Sequence, residues 1–228
     1  MTIKRGQPWG DAVTLPNDAP VANTDADLAA LIQADLDAKG LAIAETSSCD
    51  HAGGHGISPI IGLTGGDLHR TLGSPSHSVD DLRSGAGMGF PMDLGVVEFD
   101  APSGLSACLF VAHLIATSDP RSRLWKGRSV ILINAAFRGT QNLAPHGHPN
   151  DGRLDLIDGS LGWLDRKRAL ERVYAGAHVP HPQLKESRVR SVGVSEESGL
   201  HIWADGIYVC TATEFTVNCL SDAFTVVV

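Results

Sequence analysis

Two short segments carry the residue types that phosphate and cation chemistry require. Thr64, Gly65, Gly66 and Asp67 lie between a predicted strand and a predicted short helix. The backbone N–H groups of such a turn can hold phosphate oxygens, but a plain strand-to-helix turn explains the same residues equally well. Residues 150–152 are Asn-Asp-Gly, a string that can present a carboxylate to a hard cation or simply close a β-turn.

Histidines and cysteines make a weaker case for metal chemistry. Cys49, His51 and His55 share a glycine-rich loop that could hold a transition metal, although its composition favours a solvated loop. The 4 cysteines form no Cys-x-x-Cys pair, so we expect free thiols rather than a zinc site. Hydrogen-bonded structural roles are expected for four further histidines, His146, His148, His178 and His181.

Composition and charge exclude several classes of protein. The formal net charge is -8, which argues against a nucleic-acid-binding surface. No apolar run approaches the ~20 residues of a membrane span, and no apolar segment follows the N-terminal basic residues, so we expect a cytoplasmic protein. The basic cluster at 166–168, with Arg172, predicts a solvated helix face. The alternative is a weak contact with lipid headgroups at the membrane periphery.

The predicted elements change in type near residue 92. Residues 24–40 predict an amphipathic helix that Thr24 or Asp25 caps and that Gly40 ends. From residue 92 onward, short Val- and Ile-rich strands dominate, and one helix that stops at Gly176 interrupts them. The fold class expected is α/β plus all-β: a shortened Rossmann-like domain over 1–98, then an antiparallel β-sandwich over 99–228. Residues 213–228 are expected to pack back on the first domain, with a ligand cleft at the junction.

Several motifs in a fixed order identify a family resemblance. Residues 130–155, VILINAAFRGTQNLAPHGHPNDGRLD, are followed by YAGAHVPHP and by the Trp-Ala-Asp-Gly string at 203–206. Upstream lie GLTGGDLHRTLG at 62–73 and FPMDLGVVEF at 90–99. Together they resemble the diacylglycerol kinase-like and sphingosine kinase-like lipid kinases of the NAD kinase/diacylglycerol kinase superfamily, in an N-terminally shortened form.

The resemblance implies ATP-dependent phosphoryl transfer to a lipid or another alcohol, with ATP and Mg²⁺ as cofactors. It assigns a structural Mg²⁺ to the carboxylate of Asp151 with the backbone carbonyls of His148 and Arg153. It places nucleotide contacts at five residues: Asp25, Thr64, Gly65, Gly66 and Asp67. No catalytic residue is assigned, because Ile207 occupies the position of the family's general base.

The departures from the pattern predict impaired or altered catalysis. Residues 23–27 have no glycine and carry two carboxylates, which would repel phosphate. Ile207 cannot accept a proton, and general-base help is typically worth ~10²–10⁴-fold in rate. Asp205 belongs to the turn itself and is expected to be structural. The alternative is a non-catalytic protein that binds a lipid, small molecule or nucleotide, or regulates a partner, with homodimerisation left open.

Overall fold

The computed structural model describes residues 9–41, 43, 59–73, 75–101 and 104–228. The Cys/His loop at 49–55 lies outside these residues. No helix of the described chain is long and apolar enough to cross a membrane.

The described residues contain four α-helices and thirteen strands. The helices are α1 (Asp25–Ala38), α2 (Gly66–Leu72), α3 (Val79–Asp81), which continues as a π-helical turn over Leu82–Ala86, and α4 (Trp163–Arg172), which continues as a 3-10 turn over Val173–Ala175. The strands are β1 (Asp11–Ala12), β2 (Val21–Ala22), β3 (Ile60–Leu63), β4 (Met88–Ala101), β5 (Gly104–Phe110), β6 (His113–Thr117), β7 (Ser129–Ile133), β8 (Phe137–Arg138), β9 (Gln141–Asn142), β10 (Leu154–Gly159), β11 (Leu184–Val189), β12 (Ser191–Ala204) and β13 (Ile207–Val227).

Helix α1 forms where its sequence pattern predicts it. Thr24 is the N-cap: its hydroxyl accepts the backbone N–H of Asp27, and the Asp27 carboxylate accepts that of Thr24. This reciprocal capping box satisfies two N–H groups that the first turn leaves unpaired. Leu28 and Ile32 are fully buried on one face, and Gly40 follows the helix with φ +67°. The predicted cap, apolar face and stop are therefore confirmed.

One large sheet organises the described chain. Its strands follow the order β1-β4-β13-β12-β6-β7-β10-β11, and every neighbouring pair along this path is antiparallel. β5 pairs antiparallel with β4. The last residues of β13 pair in parallel with β3, which in turn pairs with β2. The predicted fold class, α/β followed by an antiparallel β-sandwich, is confirmed. The expected boundary at residue 98 falls inside β4, and the division into two domains stays a prediction.

The buried side chains form separate hydrophobic clusters, three of which pack around the strands of this sheet. One cluster packs α1 and β3 against β4 and β13 through Leu28, Ile32 and Ile61. A second cluster fills the sandwich around Phe110. The ring of Phe110 lies so close to the β4 backbone that a Cβ at Gly95 would collide with it. A third cluster lies beneath α4. Because α1 is anchored in the first cluster, its N-terminal turn is held beside the β-sandwich.

Candidate functional site

The turn between β12 and β13 projects toward the N-terminal elements. Asp205 and Gly206 have φ values of 46° and 82°, and Ala204 pairs with Ile207 across the turn. Two consecutive residues with positive φ are typical of the tight hairpin turns that Asp-Gly sequences favour. The predicted Asp-Gly turn at the end of a strand is thus confirmed, and it places the Asp205 side chain against the segment between β5 and β6.

The carboxylate of Asp205 bonds to three consecutive backbone N–H groups. Val111, Ala112 and His113 donate to it at 2.8, 2.9 and 2.9 Å. Burial raises the pKa of Asp205 to about 7, while the three donors pull in the opposite direction because they favour the ionised form. The side chain therefore joins two turns that are more than ninety residues apart in sequence.

Asp25 performs a similar task at the start of α2. Its carboxylate accepts the backbone N–H groups of Asp67 and Leu68 at 2.6 and 3.0 Å. Burial raises the pKa of this carboxyl, and the neighbouring charge of Asp67 raises it further. A Cβ at Gly66, which has φ +95°, would lie 2.6 Å from Asp25 Oδ1, so only glycine allows this close approach. The N–H groups that a phosphate would need at this turn are bonded to the protein's own carboxylate.

The Gly-rich turn is also packed against the segment before α1. The Thr64 hydroxyl donates to Asn23 Oδ1 at 2.6 Å. A Cβ at Gly65 would lie 2.5 Å from the Asn23 carbonyl oxygen. The structure thus brings together the five residues expected to contact nucleotide, and it engages them with one another and with the neighbouring Asn23 and Leu68.

Asp67 faces the buried ring of His113. Asp67 Oδ1 accepts the N–H of Gly139 at 2.6 Å, and Oδ2 lies 3.8 Å from His113 Nδ1. Burial lowers the pKa of His113 to about 4, so the ring is neutral at pH 7. Its Nε2 lies 2.9 Å from the carbonyl oxygen of Ala135 and must carry the proton to donate to it. The contact between Asp67 and His113 is therefore not an ion pair.

An apolar cavity of about 320 Å³ opens beside these carboxylates. It lies between α1, β5 and the β12–β13 turn, and Ile207 stands at its edge with 60% of its surface exposed. The lining is mostly small and apolar, with Gln33 and Asp205 as its polar members: Ala26, Ala29, Ala30, Gln33, Ala107, Cys108, Leu109, Ala204, Asp205, Ile207 and Val209. Burial raises the pKa of Cys108 to about 11, so its thiol stays protonated and weakly nucleophilic.

The Asn-Asp-Gly turn lies at a different place, at the start of β10. Asp151 Oδ1 accepts the N–H of Arg153 at 3.1 Å, and Oδ2 pairs with Arg188 at 2.8 Å. Arg188 also donates to Asp155 at 3.0 Å. The ring of His148 lies 4.4 Å from that of Trp9. Both oxygens of Asp151 are thus engaged, and Mg²⁺ does not fit this arrangement unless Arg188 moves away.

Asp93 is a further buried carboxylate at this turn, and the sequence motifs did not predict its role. It is 1% exposed, and its carboxylate accepts the N–H groups of Gly152 and Asp222 at 2.6 and 3.0 Å. Burial raises the pKa of Asp93 to about 6. The signal available in the sequence is the Asp-Leu-Gly string within FPMDLGVVEF at 90–99, which carries part of the family resemblance without assigning a role to Asp93. Across the described chain, no group of three or more His, Cys, Asp or Glu side chains is arranged to hold a metal ion.

A comparison with known protein families shows which family this chain belongs to. A sequence model described as the YegS C-terminal NAD kinase beta sandwich-like domain matches residues 111–228, more than half of the chain. The chain belongs to this family. The matched residues include the Asn-Asp-Gly turn and Ile207, whereas Asp25 and the Gly-rich turn at 64–67 lie before the match.

Solved structures support the fold of this YegS-like β-sandwich protein. Two structures of a protein from Bacillus anthracis str. Sterne, assigned as a diacylglycerol kinase, align with TM-scores of 0.54 and 0.55. Each is 13% identical in sequence, and the alignments cover 74% of this chain and 69% of the other. At this identity the likeness concerns the fold alone. A search of curated protein sequences found no match.

Proposed function

We propose that this chain is a non-catalytic member of the diacylglycerol kinase-like group that binds a single-chain lipid in the apolar cavity beside Ile207. The observation that carries the proposal is the cavity itself, because it opens where the family resemblance places the general base and its wall there is aliphatic. An apolar ligand chain is compatible with this lining. A reacting hydroxyl would have no carboxylate at position 207 to accept its proton.

The size and chemistry of the cavity favour one acyl chain. Its volume of about 320 Å³ is near the lower end of ligand pockets, which typically span ~300–1,000 Å³. Ile207 is 60% exposed and gives the entrance an apolar edge. Each buried CH₂ is worth roughly 0.8 kcal/mol, which corresponds to about fourfold in affinity per methylene until the cavity is full.

The polar groups near the cavity support binding rather than phosphoryl transfer. Phosphoryl transfer needs a phosphate cradle and a group that positions or deprotonates the acceptor. The N–H groups of Asp67 and Leu68 are held by Asp25, and the Asp205 carboxylate is held by three other N–H groups. A kinase reaction at this place would have to break these bonds before it could use either carboxylate.

Calorimetric titration with fatty acids and monoacylglycerols of increasing chain length tests the proposal. We expect affinity to rise with each methylene and then level off, with no heat of binding for Mg-ATP and no transfer of radiolabelled phosphate to any of these lipids. Phosphate transfer, or affinity that does not depend on chain length, would contradict it.

Helix α1 offers a matched pair of variants. Ala30 is exposed and lines the cavity, so Ala30→Phe should fill it and weaken lipid binding at least tenfold. Ala38→Phe adds the same ring at the other end of α1, away from the cavity lining, and should bind like the wild type. Equal binding by both variants would place the lipid elsewhere.

A further inference from the structure

Helix α4 and the turn after it expose unusually large apolar side chains. Trp163, Leu164 and Tyr174 are 76%, 50% and 57% exposed. Among the described residues, six large hydrophobic side chains are exposed, and these are three of them. A cluster of exposed aromatic and aliphatic side chains on one short segment points to an interaction surface.

The same face of α4 is rich in positive charge. Lys167 follows Trp163 by four residues and Arg168 follows Leu164 by four, so each basic side chain lies one turn above an apolar one. Both are exposed, as is Arg172. The opposite face is anchored in the core through Ala169 and Val173. We call Trp163, Leu164, Lys167, Arg168, Arg172 and Tyr174 the basic-aromatic surface.

This surface is locally positive on a chain that is acidic overall. The segment 163–174 contains Arg166, Lys167, Arg168 and Arg172 against Asp165 and Glu171, a formal surplus of two positive charges, whereas the whole chain has a net charge of -8. Arg166 donates from Nε to the carbonyl oxygen of Leu124 at 2.8 Å, which ties α4 to the loop before β7.

That loop extends the positive surface. Arg123 and Lys126 are 43% and 53% exposed, and both pair with the single carboxylate of Asp119, whose side chain is 4% exposed. Two cations sharing one buried anion leave positive charge at the surface beside α4.

We propose that the basic-aromatic surface docks the protein on an anionic membrane. Tryptophan and tyrosine favour the membrane–water interface because their rings are amphipathic. Lysine and arginine on an anchored helix are attracted to anionic headgroups, at roughly 1 kcal/mol per residue. A protein partner would suit the apolar side chains equally, but the surplus of flexible basic side chains around exposed Trp163 complements the charge of an anionic bilayer.

Co-sedimentation with vesicles tests this docking. The full chain should bind vesicles of phosphatidylcholine with phosphatidylglycerol and not vesicles of phosphatidylcholine alone. Binding should weaken as salt is raised, because the Debye length falls from about 8 Å at 0.15 M to about 3 Å at 1 M. Lys167→Glu with Arg168→Glu should weaken binding roughly 30-fold or more, from the loss of two basic contacts. Trp163→Ala, a change at a side chain that is 76% exposed, should weaken it without unfolding the protein.

A matched charge reversal at Lys185 in β11 and at Arg190, which directly follows β11, provides the control. Lys185→Glu with Arg190→Glu changes the net charge by the same amount at exposed residues outside the basic-aromatic surface, and should leave vesicle binding nearly intact. Equal binding to neutral and anionic vesicles, no binding to either, or equal loss in both double variants would overturn the proposal. So would light scattering that shows a wild-type dimer dissociated by the Lys167/Arg168 reversal. The inference is independent of the lipid cavity, and Ala30→Phe should still bind anionic vesicles.

Discussion

Replacing Asp205 with alanine should release the β12–β13 turn from the segment between β5 and β6. The change leaves the N–H groups of Val111, Ala112 and His113 without their acceptor, and these three residues are between 0% and 4% exposed. Each buried donor left unsatisfied costs about 1–3 kcal/mol. Alanine at the positive φ of Asp205 adds about 1 kcal/mol. Because water can reach part of the opened turn, we expect a total loss of about 4 kcal/mol.

Thermal unfolding followed by circular dichroism measures this loss. In a chain of this length, 1 kcal/mol corresponds to about 2–4 °C in Tm, so Asp205→Ala should lower Tm by ~10 °C. Asp205→Asn keeps one acceptor oxygen, and its Tm should lie between those of Asp205→Ala and the wild type.

Asp222→Ala is a suitable control for the backbone contribution. Asp222 also has positive φ, 52°, but it lies at an exposed position, where water can replace the contacts of its carboxylate, one of which is with Asn150 Nδ2 at 2.8 Å. The Asp222→Ala variant should therefore lose much less stability than Asp205→Ala. If the two variants unfold at the same temperature, or if Asp205→Ala is as stable as the wild type, the structural role assigned to Asp205 is wrong.

Three further changes test other parts of the structure. Asp25→Ala should lower stability by about 2 kcal/mol, measured as a lower urea midpoint, because two N–H groups of α2 lose their acceptor. Burial lowers the pKa of His178 to about 4, below the ~6.5 of an unfolded histidine, so stability is lost as pH falls from 6.5 toward 4. As pH falls through that window, His178→Phe should therefore become more stable relative to the wild type, by at most about 1.4 kcal/mol per pH unit. A difference in stability between the two proteins that does not change with pH would contradict this. Gly95→Ala should cost about 2 kcal/mol or more because its Cβ meets the Phe110 ring, whereas Gly193→Ala, with no atom within 4 Å, should be neutral or slightly stabilising.

Local sequence patterns determined the elements and the family. The Thr-x-x-Asp capping box of α1, the stop of α4 at Gly176 and the Asp-Gly turn of β12–β13 depend on groups a few residues apart, so the sequence shows them directly. The ordered motifs from 130 to 206 identified the superfamily for the same reason, because each motif is a short string. The replacement of the general base by Ile207 is equally a fact of sequence.

Only the tertiary structure decided what the carboxylates do. Asp25 bonds to N–H groups 42 and 43 residues away, and the Asp205 carboxylate to N–H groups 92 to 94 residues away. Asp151 pairs with Arg188, an ion pair that no spacing rule predicts. Such partners are set by strand order and register across the sheet, which depend on the packing of the whole core. The sequence could therefore name the acidic residues but not show that backbone N–H groups and an arginine already hold them.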